Sequence, residues 1–540
     1  MATSISNRPW LQHYPDGVPT TINYREAPLY AILEDAAAAH PDLPALRFYA
    51  TRLNYGQLWT QAQRFAAVLA DLGVKKGDRV ALMLPNCPQY VIAYYGTLRA
   101  GGIVAQVNPL YTPRELDYLL NDSGAETIVV ADVLYPVIQA TKKENLKRVL
   151  VTTLKGDVAL GPEAQRVEEL LARTTTAPPS VTIDPRADVA ALQYTGGTTG
   201  VSKAAMLTHF NLLANVQQAR AWNPIGGPPG SERILTVIPL FHAYGMTVCM
   251  NYGLYCGYEL ILLPRFDLKE VMETIKATQP TVFPGVPTMY VAVNNFPDAD
   301  DYGVSSIKYC NSGAAPLPLE VIQGFEQRFG GRIREGYGLS ETSPFSHGQP
   351  FMIPARPGTV GFPCADTDCE IVDVETGTTV LPPGEIGEIR IRGPQVMKGY
   401  WNRPDETDIA LRDGWLYTGD LGTMDPDGYF SIVDRKKDMI IASGYNVYPR
   451  DVEEVLYEHP AVLECCVAGV ADPYRGETVK AYIVKRAGAE VTNEELDAFC
   501  RERLAAFKIP RIYEFRESLP KSAVGKVLRR QLLAEEAKPT

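Results

Sequence analysis

Apolar positions along the first 150 residues alternate between two periods. Residues 25–50 carry a helical stripe of Leu29, Ile32, Leu33 and Ala36, then a strand-like LRFYA from Leu46. Residues 55–72 repeat Leu58, Phe65, Val68, Leu69 and Leu72 at helical spacing, and Gly73 ends the run. A buried strand follows at 80–84, a helix at 88–98 closed by Gly101 and Gly102, and a strand at 103–107. The rhythm repeats with a helix from Arg114, a strand at 127–131, a helix near Val133 and a strand at 148–152. Strands alternating with helices predict a parallel sheet covered on both faces.

Residues 154–190 are polar, contain Pro178 and Pro179, and read as a connection. A strand at 234–238, a helix at 268–278 and strands at 281–283 and 307–311 predict a second parallel unit. From 358 to 429, alternation broken by Gly and Pro turns predicts hairpins and a small β-rich subdomain. The texture changes again near residues 434–438. A helix at 452–456, strands at 463–470 and 479–484, and a capping box from Thr492 to Glu495 predict an α+β domain over 436–540.

A chain of 540 residues exceeds a single compact core. Its net charge of −11 argues against a nucleic-acid partner, which wants a basic face. Residues 436–540 carry 17 basic and 17 acidic groups, so the whole excess lies in residues 1–435. The nine cysteines lack metal-site or disulfide spacing and read as reduced thiols of a cytosolic protein. The N-terminus has no apolar signal-like core. Residues 234–258 are uncharged, but Pro239, His242 and Asn251 interrupt them, so they read as buried α/β core rather than a membrane span. Peripheral association with the inner face of the membrane, and a homodimer, stay open.

One stretch breaks the apolar rhythm. Residues 194–209 read YTGGTTGVSKAAMLTH, with Leu192 and Tyr194 at a strand end before them and a helix at 210–219 after. Thr195, Gly196, Gly197, Thr198, Thr199, Gly200, Ser202 and Lys203 supply backbone amides, hydroxyls and a cation, the donor set a polyphosphate needs. Lys203 stands between Ser202 and Ala204, so this is not a Walker A loop. It resembles the phosphate loop of the adenylate-forming superfamily, pattern (S/T)GGTTGxxKG, which includes acyl-CoA synthetases, luciferases and peptide-synthetase adenylation domains. Ala204 stands where glycine is usual.

Further stretches match that superfamily in order. NSGAAP at 311–316 contains Gly313, Ala314 and Ala315, and resembles the segment flanking adenine. EGYGLSET at 335–342 contains Glu335, Gly336, Tyr337, Gly338, Ser340 and Glu341. The resemblance implies that Tyr337 stacks on adenine, Ser340 contacts the α-phosphate and Glu341 orders Mg²⁺, a cation content with one or two carboxylates plus phosphate oxygens. It implies ribose contacts from Asp420 and Arg435, a hinge at Lys437, a catalytic lysine at Lys526 in PKSAVGKVLRR, and a CoA-side role for Gly444 and Tyr445.

The implied architecture is α/β. A large N-terminal domain, 1–435, has two parallel α/β subdomains plus a small β-rich subdomain, followed by a mobile α+β C-terminal lid domain, 436–540. The stretches VNPLYTPRELDYLLNDSGA, GPQVMKGYW and DRKKDMIIASGYNVYP are similar to bacterial long-chain fatty acid–CoA ligases within that superfamily. The implied reaction activates a medium- to long-chain fatty acid with ATP and Mg²⁺ to an acyl-adenylate, then transfers the acyl group to CoA. His242 in IPLFHAYGM would sit by the acyl carboxylate, with 281–290 lining the same pocket. A CoA ligase for an aromatic or hydroxycinnamate-type acid remains the alternative, and a non-catalytic nucleotide-binding protein the second.

Overall fold

The computed structural model describes residues 8–536 except 143, 157, 196–201, 225, 316, 443–444, 473–475 and 523–524; the side chains of 445 and 476 are also outside it. The chain divides into two compact units. The larger comprises Trp10–Asp368 and Ile391–Leu416, the smaller Met1–Pro9, Cys369–Arg390 and Tyr417–Thr540.

The larger unit is built on two mainly parallel sheets. The first has seven strands in the order Ala164–Arg166, Arg148–Thr152, Thr127–Ala131, Arg79–Met83, Ile103–Gln106, Val189–Thr195 and Lys203–Thr208. Every neighbouring pair is parallel except the last. Its central strands are buried along their length, as strands covered on both faces must be. The helices Tyr55–Asp71 and Pro88–Arg99 supply cover, the first started by a reciprocal Asn54–Gln57 capping box.

The second sheet recruits a distant strand. Pro44–Phe48 pairs in parallel with Glu259–Leu262, which pairs with Arg233–Thr236. Parallel bridges through Val282 connect Ile234 to Tyr309, and Tyr309–Ser312 then pairs with Arg332–Gly338. The expected strand at 281–283 is therefore reduced to bridges at Val282. Pro280 and Pro284 flank it and cannot donate to a ladder.

Other expectations shift for local reasons. The helix expected within 25–50 is confined to Ala31–Ala39, between Pro28 and Pro41. The polar connection at 154–190 contains the strand Ala164–Arg166 and the helix Val167–Arg173, which buries only Val167 and Leu170 and so shows little apolar stripe. Residues 203–208, read as loop, form a strand whose Ala204, Ala205 and Leu207 are buried. The uncharged run at 234–258 breaks into a strand, a loop, a π-helix at Gly245–Asn251 and a short helix at Tyr252–Tyr255. Among the described residues no helix is long and apolar enough to cross a membrane. All nine cysteines are buried.

In the smaller unit residues 420–424 pair antiparallel with Phe430–Arg435. A second sheet has the order Tyr445–Val447, Ile440–Ala442, Gly476–Lys485 and Val462–Asp472, with Ile512–Arg516 parallel to Gly476–Lys485. The helices Pro449–Tyr457 and Asn493–Arg501 place Val452, Leu456 and Leu496 in its core beside Val467, Val479, Ala481 and Ile483. The Thr492–Glu495 capping box forms.

Candidate active site

In the larger unit the hydroxyl-rich loop joins two antiparallel strands. Thr195 lies opposite Lys203, and the Ser202 hydroxyl donates to the Thr195 carbonyl at 2.6 Å. Gly196, Gly197, Thr198, Thr199 and Gly200 lie outside the described residues. Lys203 thus opens a strand rather than a helix, unlike the lysine of a P-loop. Tyr118 donates to the Ser202 carbonyl at 2.8 Å, and Tyr194 donates to Asp122 at 2.9 Å.

Residues 397–401 run alongside that strand. Met206 N–H donates to the Gly399 carbonyl, and Trp401 N–H to the Ala204 carbonyl, both at 2.8 Å. Met397 N–H donates to the Glu341 carbonyl at 2.8 Å. This pairing carries Tyr400 to Glu341, whose Oε1 accepts the phenol at 2.8 Å. The Lys203 ammonium pairs with Glu406 and lies 5.2 Å from the centre of the Tyr400 ring. Burial lowers the Lys203 pKa, and the Glu341 carboxylate opposes that shift. The stretch GPQVMKGYW contains Tyr400, but nothing in the sequence linked it to Glu341; strand register does.

The two segments expected at adenine lie side by side. Tyr309–Ser312 and Arg332–Gly338 are parallel, with Ser312 opposite Glu335, so Gly313 follows its strand's carboxyl end beside Gly336, where the neighbouring strand runs on to pair with Phe345–Gly348. Ligands of open α/β sheets bind at that carboxyl edge. A Cβ on Gly338 would fall 1.6 Å from the Pro344 carbonyl oxygen, so packing demands glycine there. A Cβ on Gly313 would come no nearer than 3.5 Å to Tyr244 and 3.9 Å to the Gly336 carbonyl oxygen, ordinary contacts, so packing does not demand glycine there. Ala314 is exposed with φ +69°, and Ala315 is partly exposed.

Tyr337 is half-buried, its ring centre 5.5 Å from that of His347. Burial drives the His347 pKa down to about 3, so the imidazole is neutral. Glu335 is buried and accepts the Leu317 N–H at 3.0 Å, which turns its carboxylate into the fold. Ser340 and Glu341 open the one-turn helix Ser340–Thr342, closed by Leu339 N–H donating to the Thr342 hydroxyl. His242 Nδ1 accepts the Tyr244 N–H at 3.2 Å, immediately before the π-helix. Such turns are rare and favour functional positions.

The smaller unit gathers a second set. Asp420 and Arg435 are register partners, with Arg435 Nε 3.3 Å from Asp420 Oδ1. Lys526 follows Gly525, at φ +76°, in a turn where Ser522 N–H donates to the Lys526 carbonyl at 2.7 Å. Crowding of the ammonium by protein, and secondarily repulsion from Arg435, lower the Lys526 pKa to about 8, against the pull of Asp420 and Asp438. The residue still presents surface to solvent, which tempers the first cause. Burial also lowers the Lys437 pKa. Tyr445 starts a strand opposite Ala442, and Gly444 is outside the described residues.

Among the described residues no three His, Cys, Asp or Glu cluster as a metal cage. A lone carboxylate such as Glu341 suits instead a cation that arrives on phosphate oxygens.

The sequence profile described as AMP-binding enzyme matches residues 33–401, and that described as AMP-binding enzyme C-terminal domain matches 451–526. A long-chain-fatty-acid–CoA ligase of Bacillus subtilis is 49% identical over 98% of each chain. A feruloyl-CoA synthase of an Amycolatopsis species is 36% identical over 91% of this chain and 96% of its own. The crystal structure of ATP-bound MatB from Rhodopseudomonas palustris aligns with a TM-score of 0.86 at 31% identity, over 95% of this chain and 99% of that one.

Proposed function

Because the chain belongs to the AMP-binding enzyme family, we propose that it is an ATP-dependent fatty acid–CoA ligase acting on medium- to long-chain acids. The structural observation that carries the chemistry is Glu341 held by Tyr400 beside Lys203, at the base of a hydroxyl-rich hairpin. The 49% identity to a long-chain ligase, against 36% to a feruloyl-CoA synthase, supports an aliphatic acid.

A carboxylate oxygen attacks the α-phosphorus of ATP, the bond to the β-phosphate oxygen breaks, and pyrophosphate leaves. The sulfur of CoA then attacks the acyl carbon and AMP leaves. Neither step needs a protein nucleophile. The obstacle to the first is anion meeting anion, so the protein must position the pair and neutralise charge. Glu341 would hold Mg²⁺, which when bound offsets phosphate charge. Lys203, Thr195 and Ser202 would face the pyrophosphate side, and Lys526 the reacting centre. Asp420, a buried acceptor braced by Arg435, would take the ribose hydroxyls. His242 would lie by the acyl carboxylate. Lys437 would be the hinge about which residues 436–540, the lid domain, turn between steps.

The test is acid-dependent ATP–pyrophosphate exchange across chain lengths, with detection of the CoA thioester. An apolar tunnel adds about 0.8 kcal/mol per buried methylene, so exchange should strengthen as the chain lengthens until the tunnel is filled. Exchange with ferulate but with no aliphatic acid would overturn the assignment.

The Glu341–Tyr400 contact makes its own prediction. A hydrogen bond to a charged group contributes about 1.5–3 kcal/mol. Tyr400→Phe should lower exchange by about tenfold, with a higher Mg²⁺ requirement and an unchanged response to the acid. An unchanged Mg²⁺ titration would refute the positioning of Glu341 by Tyr400.

A further inference from the structure

The first residue of the helix Arg529–Glu536 lies three positions after Lys526 and is tied into a cluster of carboxylates. Arg529 donates to Asp438 and to Glu453, each at 2.9 Å, and lies 3.7 Å from Asp434. Glu453 also accepts the Val467 N–H at 2.7 Å, which anchors it to the sheet behind. The cluster straddles Lys437. Asp434 belongs to the strand Phe430–Arg435 before it, whereas Asp438, Glu453 and Arg529 come after it.

Asp434 makes more than one link across that point. Its Oδ2 accepts the Arg450 N–H at 3.0 Å, while Oδ1 accepts the Arg435 N–H at 2.7 Å. The Arg450 guanidinium returns across the same point to the Ile432 carbonyl. Asp434 is buried, and its strand sets Arg435 opposite Asp420. The side chain that accepts the Arg435 N–H therefore also lies within ion-pair distance, 3.7 Å, of Arg529, three positions after Lys526.

We propose that Asp434 is a positioning residue for the adenylation step: its links to Arg529 and Arg450 across Lys437 hold Lys526 on the side of Asp420 and Arg435. This rests on the reading of Lys437 as a hinge and of Lys526 as serving the first step only. Turning about Lys437 separates Asp434 from Arg450 and Arg529 but leaves Arg529 bonded to Asp438 and Glu453. Asp434 thus belongs to one arrangement of the hinge, and Glu453 to both.

The pair Asp434→Asn and Glu453→Gln tests this, since both touch the Arg529 guanidinium and only one crosses the hinge. The two half-reactions are measured separately, by ATP–pyrophosphate exchange and by thioester formation from a supplied acyl-adenylate and CoA. Asp434→Asn should lower the ratio of the first rate to the second by about tenfold, with the second unchanged or faster. Glu453→Gln should leave that ratio unchanged. Equal loss of both half-reactions in Asp434→Asn, no change in either, or the same shift in Glu453→Gln would overturn the proposal. Lys526→Ala, run in parallel, separates the two levels. If it slows both half-reactions alike, the division of roles itself fails. If it slows only the first while Asp434→Asn leaves the ratio unchanged, the latch alone fails.

Discussion

Lys526→Ala should cut acid-dependent ATP–pyrophosphate exchange by about two to three decades and leave thioester formation from a supplied acyl-adenylate intact. The size follows from charge. An electrostatic contact made only as charge develops at the reacting phosphorus is felt in full in the rate, because it stabilises the transition state and not the bound substrates. The split follows from chemistry, since the second step expels AMP, generates no pyrophosphate and needs no second anion brought to phosphorus. Equal loss in both steps would refute the role.

The same lysine predicts a pH dependence. Its pKa is lowered to about 8, so the cation dominates below that value and the neutral amine above it. The kcat/KM of exchange reports the free enzyme and should fall as pH rises through about 8, whereas Lys526→Arg should move that fall to higher pH. The stability consequence has the opposite sense. Between about 8 and the ordinary lysine value the unfolded chain binds more protons, so this group's contribution to stability rises with pH over that window. Below it the folded state carries a disfavoured charge, so Lys526→Ala should melt no lower than the parent protein at neutral pH. A large drop in melting temperature would show a structural role instead.

Glu341→Gln is expected to cost about a hundredfold or more in exchange, with saturation in Mg²⁺ lost or pushed far upward. Glutamine keeps the size and can still accept from Tyr400, so the change isolates the charge. The side chain is only partly buried, so the fold should survive the substitution. An unaltered Mg²⁺ titration would remove Glu341 from the metal role and leave Lys203 as the charged group to test next.

The β-α-β rhythm of the first 150 residues was legible because strands covered on both faces are apolar throughout and their helices striped. The capping box at Thr492 was equally legible, being local. The short helix Val167–Arg173 was not, because two buried side chains make no period. Nor was the strand Lys203–Thr208, whose glycine- and threonine-rich approach masked the buried alanines after it. At the site, the motif residues could be named from their local strings. Tyr400 could not, because its link to Glu341 spans 59 positions and depends on the pairing of 397–401 with Lys203–Thr208.

The sequence by itself determined what is short-range: the elements, the donor-rich loop and the order of the charged motifs, each encoded within one or two turns of chain. Strand order was decided only in three dimensions. Pro44–Phe48 joins Glu259–Leu262 across more than 200 residues, for which local patterning holds no address. The charge environment was decided there too. Lys203 and Lys526 are equivalent as letters; one is braced by Glu406 and Tyr400, and the other is lowered to about 8 by crowding and Arg435. A pKa is set by what the fold brings within a few ångströms, and the residues that do so here are far apart along the chain.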